Sequence, residues 1–154
     1  MYLGRPKQQS DVIAVIAILD LCGPDFYPAD KKTAAERYMW AKDELQRRVG
    51  HPRFRFFPAV HETEAWLLSS RPIFPQEVRR DLPAKIDHPE TVNFDEPPAK
   101  LLDRLYESRF RRGYKKVTHG KELFQKLDPS IAYEKCPYLQ ELLDEMLRMA
   151  QNAK

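Results

Sequence analysis

The chain has 154 residues, 42% hydrophobic and 32% charged, which is enough for one domain with a real core and ordinary for a soluble globular protein. A net charge of +3 admits nucleic acid as a partner without requiring it, because clustering of charge matters more than its sum. Cys22 and Cys136 form neither a zinc-ligand spacing nor a disulfide framework, so a reducing cytoplasm is the simplest setting. No stretch approaches the about 20 apolar residues of a membrane span. The start Met1-Tyr2-Leu3-Gly4-Arg5-Pro6 does not read as a signal peptide. The expectation is a single domain (1–154), cytoplasmic and without membrane contact.

Val12 to Leu19 is a continuous apolar, largely β-branched run ending at Asp20, which reads as a strand buried on both faces in a parallel sheet. Gly23-Pro24 and Tyr27-Pro28 mark a turn-rich loop. From Asp30 to Val49 apolar residues recur at helical spacing through Ala34, Tyr38, Ala41 and Leu45, with Gly50 as the stop. Arg53 to Val60 is a second strand and Glu62 to Ser69 a short helix. Residues 1–70 therefore form a βαβ core.

Residues 71–98 hold six of the thirteen prolines and read as a long irregular connection, with at most one helical turn around Gln76 to Asp81. Residues 99–154 form a basic and helical C-terminal region. Pro98 to Ser108, from the end of the connection, and His119 to Leu127 are helical, and Ser130 to Glu134 is a short turn. A closing helix begins at Cys136-Pro137, with Leu139, Leu142, Leu143, Met146 and Leu147 as one apolar stripe. The fold class is α/β, a parallel sheet flanked by helices. Two strands make a poor core, so either short strands hide in the proline-rich connection or something outside the chain completes the sheet.

Two constellations carry chemistry. In the first, His61-Glu62-Thr63-Glu64 follows the second strand and Asp20 ends the first. If the strands are parallel neighbours, these groups emerge at one sheet edge, where α/β proteins place ligands and catalytic groups. Carboxylates beside an imidazole bind a hard divalent cation or move a proton. The plainer alternatives are acidic residues in the first turn of a helix, favoured by its dipole, and an aspartate capping a turn. The second constellation is Arg109 to Lys121. Counting Arg104, seven cationic residues fall within 18 positions, with Phe110 and Tyr114 among them. Such a run contacts phosphates and stacks bases, or is a solvated face. Thr118 reads as an N-cap for a helix starting at His119, whose free amides favour an anion. His51 and His88 read as loop residues.

Several motifs in order resemble the DUF4276 family. They are Leu19-Asp20-x-x-Gly23 after an apolar strand, and Phe56-x-Pro58 leading to His61-Glu62-x-Glu64-Ala65-x-Leu67-Leu68. Pro89-Glu90-x-Val92-Asn93 leads to Glu96-x-Pro98-x-Lys100. Tyr114 is followed by Lys115-Lys116 and His119-Gly120, and Cys136-Pro137-Tyr138-x-x-x-Leu142 closes the chain. That family is similar to Toprim domains, the α/β metal-binding fold of certain nucleases, primases and topoisomerases. Its members often occur beside AAA or ABC-type ATPases in systems resembling phage defence.

The resemblance implies phosphodiester chemistry dependent on Mg²⁺ or Mn²⁺ at the C-terminal sheet edge. Asp20, Glu62 and Glu64 would be the metal ligands, and Asp20, His61, Glu62, Glu64 and His119 the catalytic groups. Arg111, Arg112, Lys115, Lys116 and Lys121 would hold nucleic acid. The chain departs from Toprim domains in having no Glu-Gly-x-Thr-Glu motif and in reducing the Asp-x-Asp pair to Asp20-Leu21-Cys22. The expectation from the resemblance is therefore a partial Toprim-like sheet lacking the N-terminal strand and helix. An ATPase, a chain supplying the missing strand, or a second copy is the expected partner. The alternative is a non-catalytic subunit of a defence complex that binds nucleic acid or an ATPase.

Overall fold

The structure is a computed structural model that describes residues 12–84, 86–91 and 96–153. The N-terminal hexapeptide and the Val92-Asn93 part of the third motif lie outside the described residues. Strand β1 (Val15–Asp20) pairs in parallel with β2 (Phe54–Ala59), in a register running from Val15 opposite Phe54 to Asp20 opposite Ala59. Helix α1 (Ala34–Val49) makes the crossover. Among the described residues the sheet has these two strands and no more.

Helix α1 starts later than its periodicity predicts because Thr33 closes a capping box. The Glu36 amide donates to the Thr33 hydroxyl oxygen (3.2 Å), and the Glu36 carboxylate accepts the Thr33 amide (2.9 Å). It ends where Gly50 takes a left-handed conformation, φ 62°, one a Cβ would penalise. Its Tyr38 and Ala41 are fully buried, and the helix packs on β2.

The expectation that the first strand is buried on both faces fails. Val15 and Leu19 are each 52% exposed and Ile18 40%, whereas Phe56, Phe57 and Ala59 of β2 are buried. A β-branched run encodes a strand but not what covers it. Here α1 and the helix α7 (Pro137–Asn152) pack against β2, while of β1 Ile16 reaches the core and Val15, Ile18 and Leu19 stay exposed.

The proline-rich connection contains no strand among its described residues. It holds a 3₁₀ turn (Arg71–Ile73) after the short helix α2 (Glu64–Leu68), and then α3 (Gln76–Asp81) at its expected bounds. The Arg71 guanidinium donates to the carbonyls of Arg79 (3.0 Å), Leu82 (3.3 Å) and Pro83 (2.5 Å). Irregular backbone is thereby satisfied by one side chain. Further along, buried Glu90 accepts from the Trp66 indole (2.8 Å) and from the Tyr138 and Leu139 amides (2.7 and 3.2 Å). It caps α7 from a distant segment, since the residue preceding α7 offers no side-chain cap. Beside it, burial and the Glu90 charge push the Cys136 thiol up to about 12.

Helix α4 (Pro98–Phe110) runs two residues beyond its predicted end. Helix α6 (Pro129–Lys135), capped by Asp128, replaces the predicted short turn. Along α7 the stripe is half used: Leu139 and Leu142 are buried, but Met146 and Leu147 are 45% and 58% exposed. One apolar cluster gathers α2, the 3₁₀ turn, α3, α4, Tyr114 and Leu123. The other gathers the sheet, α1, α6 and α7, and Leu127 packs against both. No described helix is long and apolar enough to cross a membrane.

Candidate functional site at the sheet edge

Parallel register brings the C-terminal ends of both strands together, and their ladder continues one step further: the Leu21 amide donates to Ala59 O (2.8 Å) and the Cys22 amide to His61 O (3.1 Å). His61 then turns with φ 64°, in the left-handed region, a conformation non-glycine residues take at a cost of order 1–2 kcal/mol. Beyond that turn the Thr63 amide donates to Asp20 Oδ1 (3.0 Å). Asp20 thus ties the end of β1 to the start of α2.

The other oxygen of Asp20 faces Lys116, whose Nζ lies 3.2 Å from Asp20 Oδ2 and 3.0 Å from Glu64 Oε2. Glu64 is only 2% exposed. A carboxylate this deep demands a counter-charge and hydrogen bonds. The Tyr114 hydroxyl donates to Glu64 Oε1 (3.4 Å) and the Thr63 hydroxyl to Oε2 (3.3 Å). Burial and the Glu64 charge raise the Tyr114 hydroxyl well above its ordinary value, so it stays a donor. For Lys116 burial alone would lower the ammonium, but its bonds to Glu64 and Asp20 outweigh that and raise it.

Lys116 reaches this position from a single π-helical turn, Lys116–Gly120, closed by the Gly120 amide donating to Lys115 O (3.1 Å). Gly120 passes so close to Tyr114 that a Cβ there would stand 2.7 Å from its hydroxyl oxygen. A side chain at 120 would push Tyr114 away from Glu64. The π turn also overturns two expectations. Thr118 lies inside it rather than at a cap, and the helix α5 (Lys121–Lys126) begins after it with no side-chain cap.

Glu62 is turned aside from this pair. Its Oε2 accepts the Ala99 amide at the start of α4 (2.7 Å), as helix N-termini favour. Burial raises its carboxyl, helped by the Glu64 and Asp20 charges and opposed by the Ala99 bond and Lys116. Next to it, burial and the Glu62 charge raise the Cys22 thiol. His61, Cys22, Leu21, Ala34, Arg37, Glu96 and Pro97 line a hollow of about 270 Å³ at this edge.

As a test for a divalent ion, the donor chemistry fits: two carboxylates from different elements, Asp20 and Glu64, already aim at one cation position. In the observed arrangement that position is filled by the Lys116 ammonium. Among the described residues no three His, Cys, Asp or Glu side chains converge as metal ligands. Glu62, held by the Ala99 amide, is a further carboxylate at this edge, and the Glu64 and Asp20 charges act on it.

His119 stands apart. Its Nδ1 accepts the Lys115 amide (2.9 Å) and its ring lies 4.9 Å from that of Tyr106, so it shapes the π turn. The basic run divides in two. Arg104 pairs with Glu96, Arg109 with Asp81 and Lys116 with the carboxylates. Arg111, Arg112, Lys115 and Lys121 are exposed and make no ion pair among the described residues. Tyr114, read from sequence as a stacking ring, is instead buried against Glu64. Tyr114, Thr63 and Ala99 as partners of the acidic residues were not legible beforehand. The nearest signal was the placement of Gly120 six residues after Tyr114.

A family model described as a domain of unknown function, DUF4276, matches residues 2–147. No curated protein and no solved structure matches the chain.

Proposed function

The chain belongs to the DUF4276 family, and from that footing we propose a Toprim-like, metal-dependent protein that cleaves phosphodiester bonds in nucleic acid. The observation that carries this reading is the aim of Asp20 Oδ2 and Glu64 Oε2 at one cation position, 3.2 and 3.0 Å from the Lys116 nitrogen. That position lies at the C-terminal sheet edge. Asp20 and Glu64 would hold Mg²⁺ or Mn²⁺, with Glu62 as a third ligand. Such an ion supplies charge neutralisation at the scissile phosphate and an activated water.

The remaining work falls to the chain. Tyr114 and Thr63 fix the Glu64 oxygens by donating to them. Lys116, once displaced from the carboxylates, is a cation for the phosphate. His61, at the same edge, would exchange the proton, leaving Glu62 to the ion. Arg111, Arg112, Lys115 and Lys121, without ion pairs among the described residues, would track the backbone. Action in a phage-defence setting with an AAA or ABC-type ATPase rests on the family resemblance alone.

A second reading is a non-catalytic subunit that binds nucleic acid or an ATPase, and it draws on the fact that Lys116 already neutralises the carboxylate pair. One experiment separates the two. The full chain is incubated with Mg²⁺ or Mn²⁺ and with single- and double-stranded DNA and RNA. Cleavage is expected, with Asp20→Asn and Glu62→Gln each slowing it at least about a hundredfold, more than the loss of a mere supporting group costs. Binding without cleavage of any substrate overturns the enzymatic reading in favour of the second. In the same assay Arg111→Glu with Lys115→Glu is expected to weaken binding and to flatten its dependence on salt by about 0.9 log unit per lost contact. Unchanged affinity makes the run a solvated face.

A further inference from the structure

At the C-terminal turn of α4 the backbone takes a left-handed step at Arg111, φ 53°, which ends the helix. Beside this step lies a hollow of about 410 Å³, lined by Pro75, Tyr106, Phe110, Arg112, His119 and Glu122. Its floor is aromatic: Tyr106, 5% exposed, packs against Phe110 (5.6 Å between ring centroids, 65°) and His119 (4.9 Å, 32°). Phe110 remains 38% exposed at the rim. Arg112 lines the hollow, Arg111 precedes Arg112 at the left-handed step, and the Lys115 amide donates to the His119 ring nitrogen (2.9 Å). All three cations are exposed and none is ion-paired among the described residues. One carboxylate, Glu122, lines the hollow.

An aromatic floor with one cation in its lining, and two more close by along the chain, matches a flat ring carried on a chain of anions. We propose that this hollow takes one unstacked base of single-stranded nucleic acid, with the flanking phosphates on Arg111, Arg112 and Lys115. A duplex offers the same phosphates but keeps its bases stacked away from such a surface. Glu122 presents an acceptor to an exocyclic amino group, the contact carboxylates make with base edges. The proposal rests on the reading of the chain as a nucleic-acid-binding protein and specifies the form of nucleic acid held.

The test uses the full chain in EDTA, so that binding is measured without cleavage. The probe is a labelled DNA single strand of about 12 nucleotides with 2-aminopurine at its centre, compared with the same sequence as a duplex. The wild type is expected to favour the single strand and to change the 2-aminopurine fluorescence on binding. Phe110→Ala is expected to weaken binding about tenfold and abolish the fluorescence change, with Phe110→Trp restoring both. Arg112→Gln is expected to reduce the salt slope by about one contact. Equal affinity for duplex and single strand, or a Phe110→Ala chain that binds and reports like the wild type, overturns the proposal. The outcome is separable from the catalytic reading. A base signal without cleavage in Mg²⁺ leaves the pocket and removes the nuclease; cleavage indifferent to Phe110 does the reverse.

Discussion

Lys116→Met is expected to destabilise the protein by about 2–3 kcal/mol, read from urea unfolding. Removing one partner of a buried ion pair costs about 3–5 kcal/mol, because the other charge is left uncompensated. Lys116 is 49% exposed while Glu64 is 2% exposed, so solvent reaches one side of the pair and the lower figure applies. Combining it with Glu64→Gln should return most of the loss, since a neutral carboxamide still accepts from Tyr114 and needs no cation. Glu64→Gln alone is expected to cost about 1 kcal/mol. A double mutant whose cost is simply the sum of the two singles would show that Lys116 and Glu64 are not energetically coupled.

Glu90→Ala is expected to cost about 3 kcal/mol or more. Three donors converge on this carboxylate, the Trp66 indole and the first two amides within α7, at 2.7 to 3.2 Å. Each buried donor left without an acceptor costs about 1–3 kcal/mol. For a chain this size that corresponds to a fall in Tm of roughly 6–12 °C. Glu90→Gln keeps one acceptor and should lose about half as much.

A pH signature distinguishes the two variants from generic damage. Burial raises the Glu90 carboxyl above its ordinary value, only partly opposed by its three hydrogen bonds. The folded state therefore holds this proton more tightly than the unfolded chain does. Stability from this group is full below the ordinary glutamate value of about 4.3 and is lost as pH rises through the raised folded value. Relative to Glu90→Gln, the wild type should gain stability as the pH is lowered across that window. A pH-independent difference would contradict the assignment.

Local pattern made the βαβ core legible. The apolar run before Asp20, the helical spacing from Ala34 to Leu45, and Gly50 as a stop are all signals within one element. They were enough to bring Asp20 and His61-Glu62 to one sheet edge. What escaped is tertiary. Lys116 lies far along the chain from Asp20, and nothing in a basic run distinguishes a cation bound for a buried glutamate from one that stays in solvent. Glu90 carries no periodic signal at all, because its partners are an indole and two backbone amides. The exposure of Val15, Ile18 and Leu19 in β1 escaped for a related reason: hydrophobicity records fitness for burial but not whether a covering layer exists. His119 and Thr118 were read against a helix start that a π turn replaced.

The most direct measurement on the central claim is Mn²⁺ binding, followed by electron paramagnetic resonance on the wild type, Asp20→Asn and Lys116→Met. If Asp20 and Glu64 define one cation position for which Lys116 competes, the wild type binds one ion, Asp20→Asn weakens it, and Lys116→Met tightens it. No bound Mn²⁺ in any of the three, or an affinity indifferent to both substitutions, would contradict it.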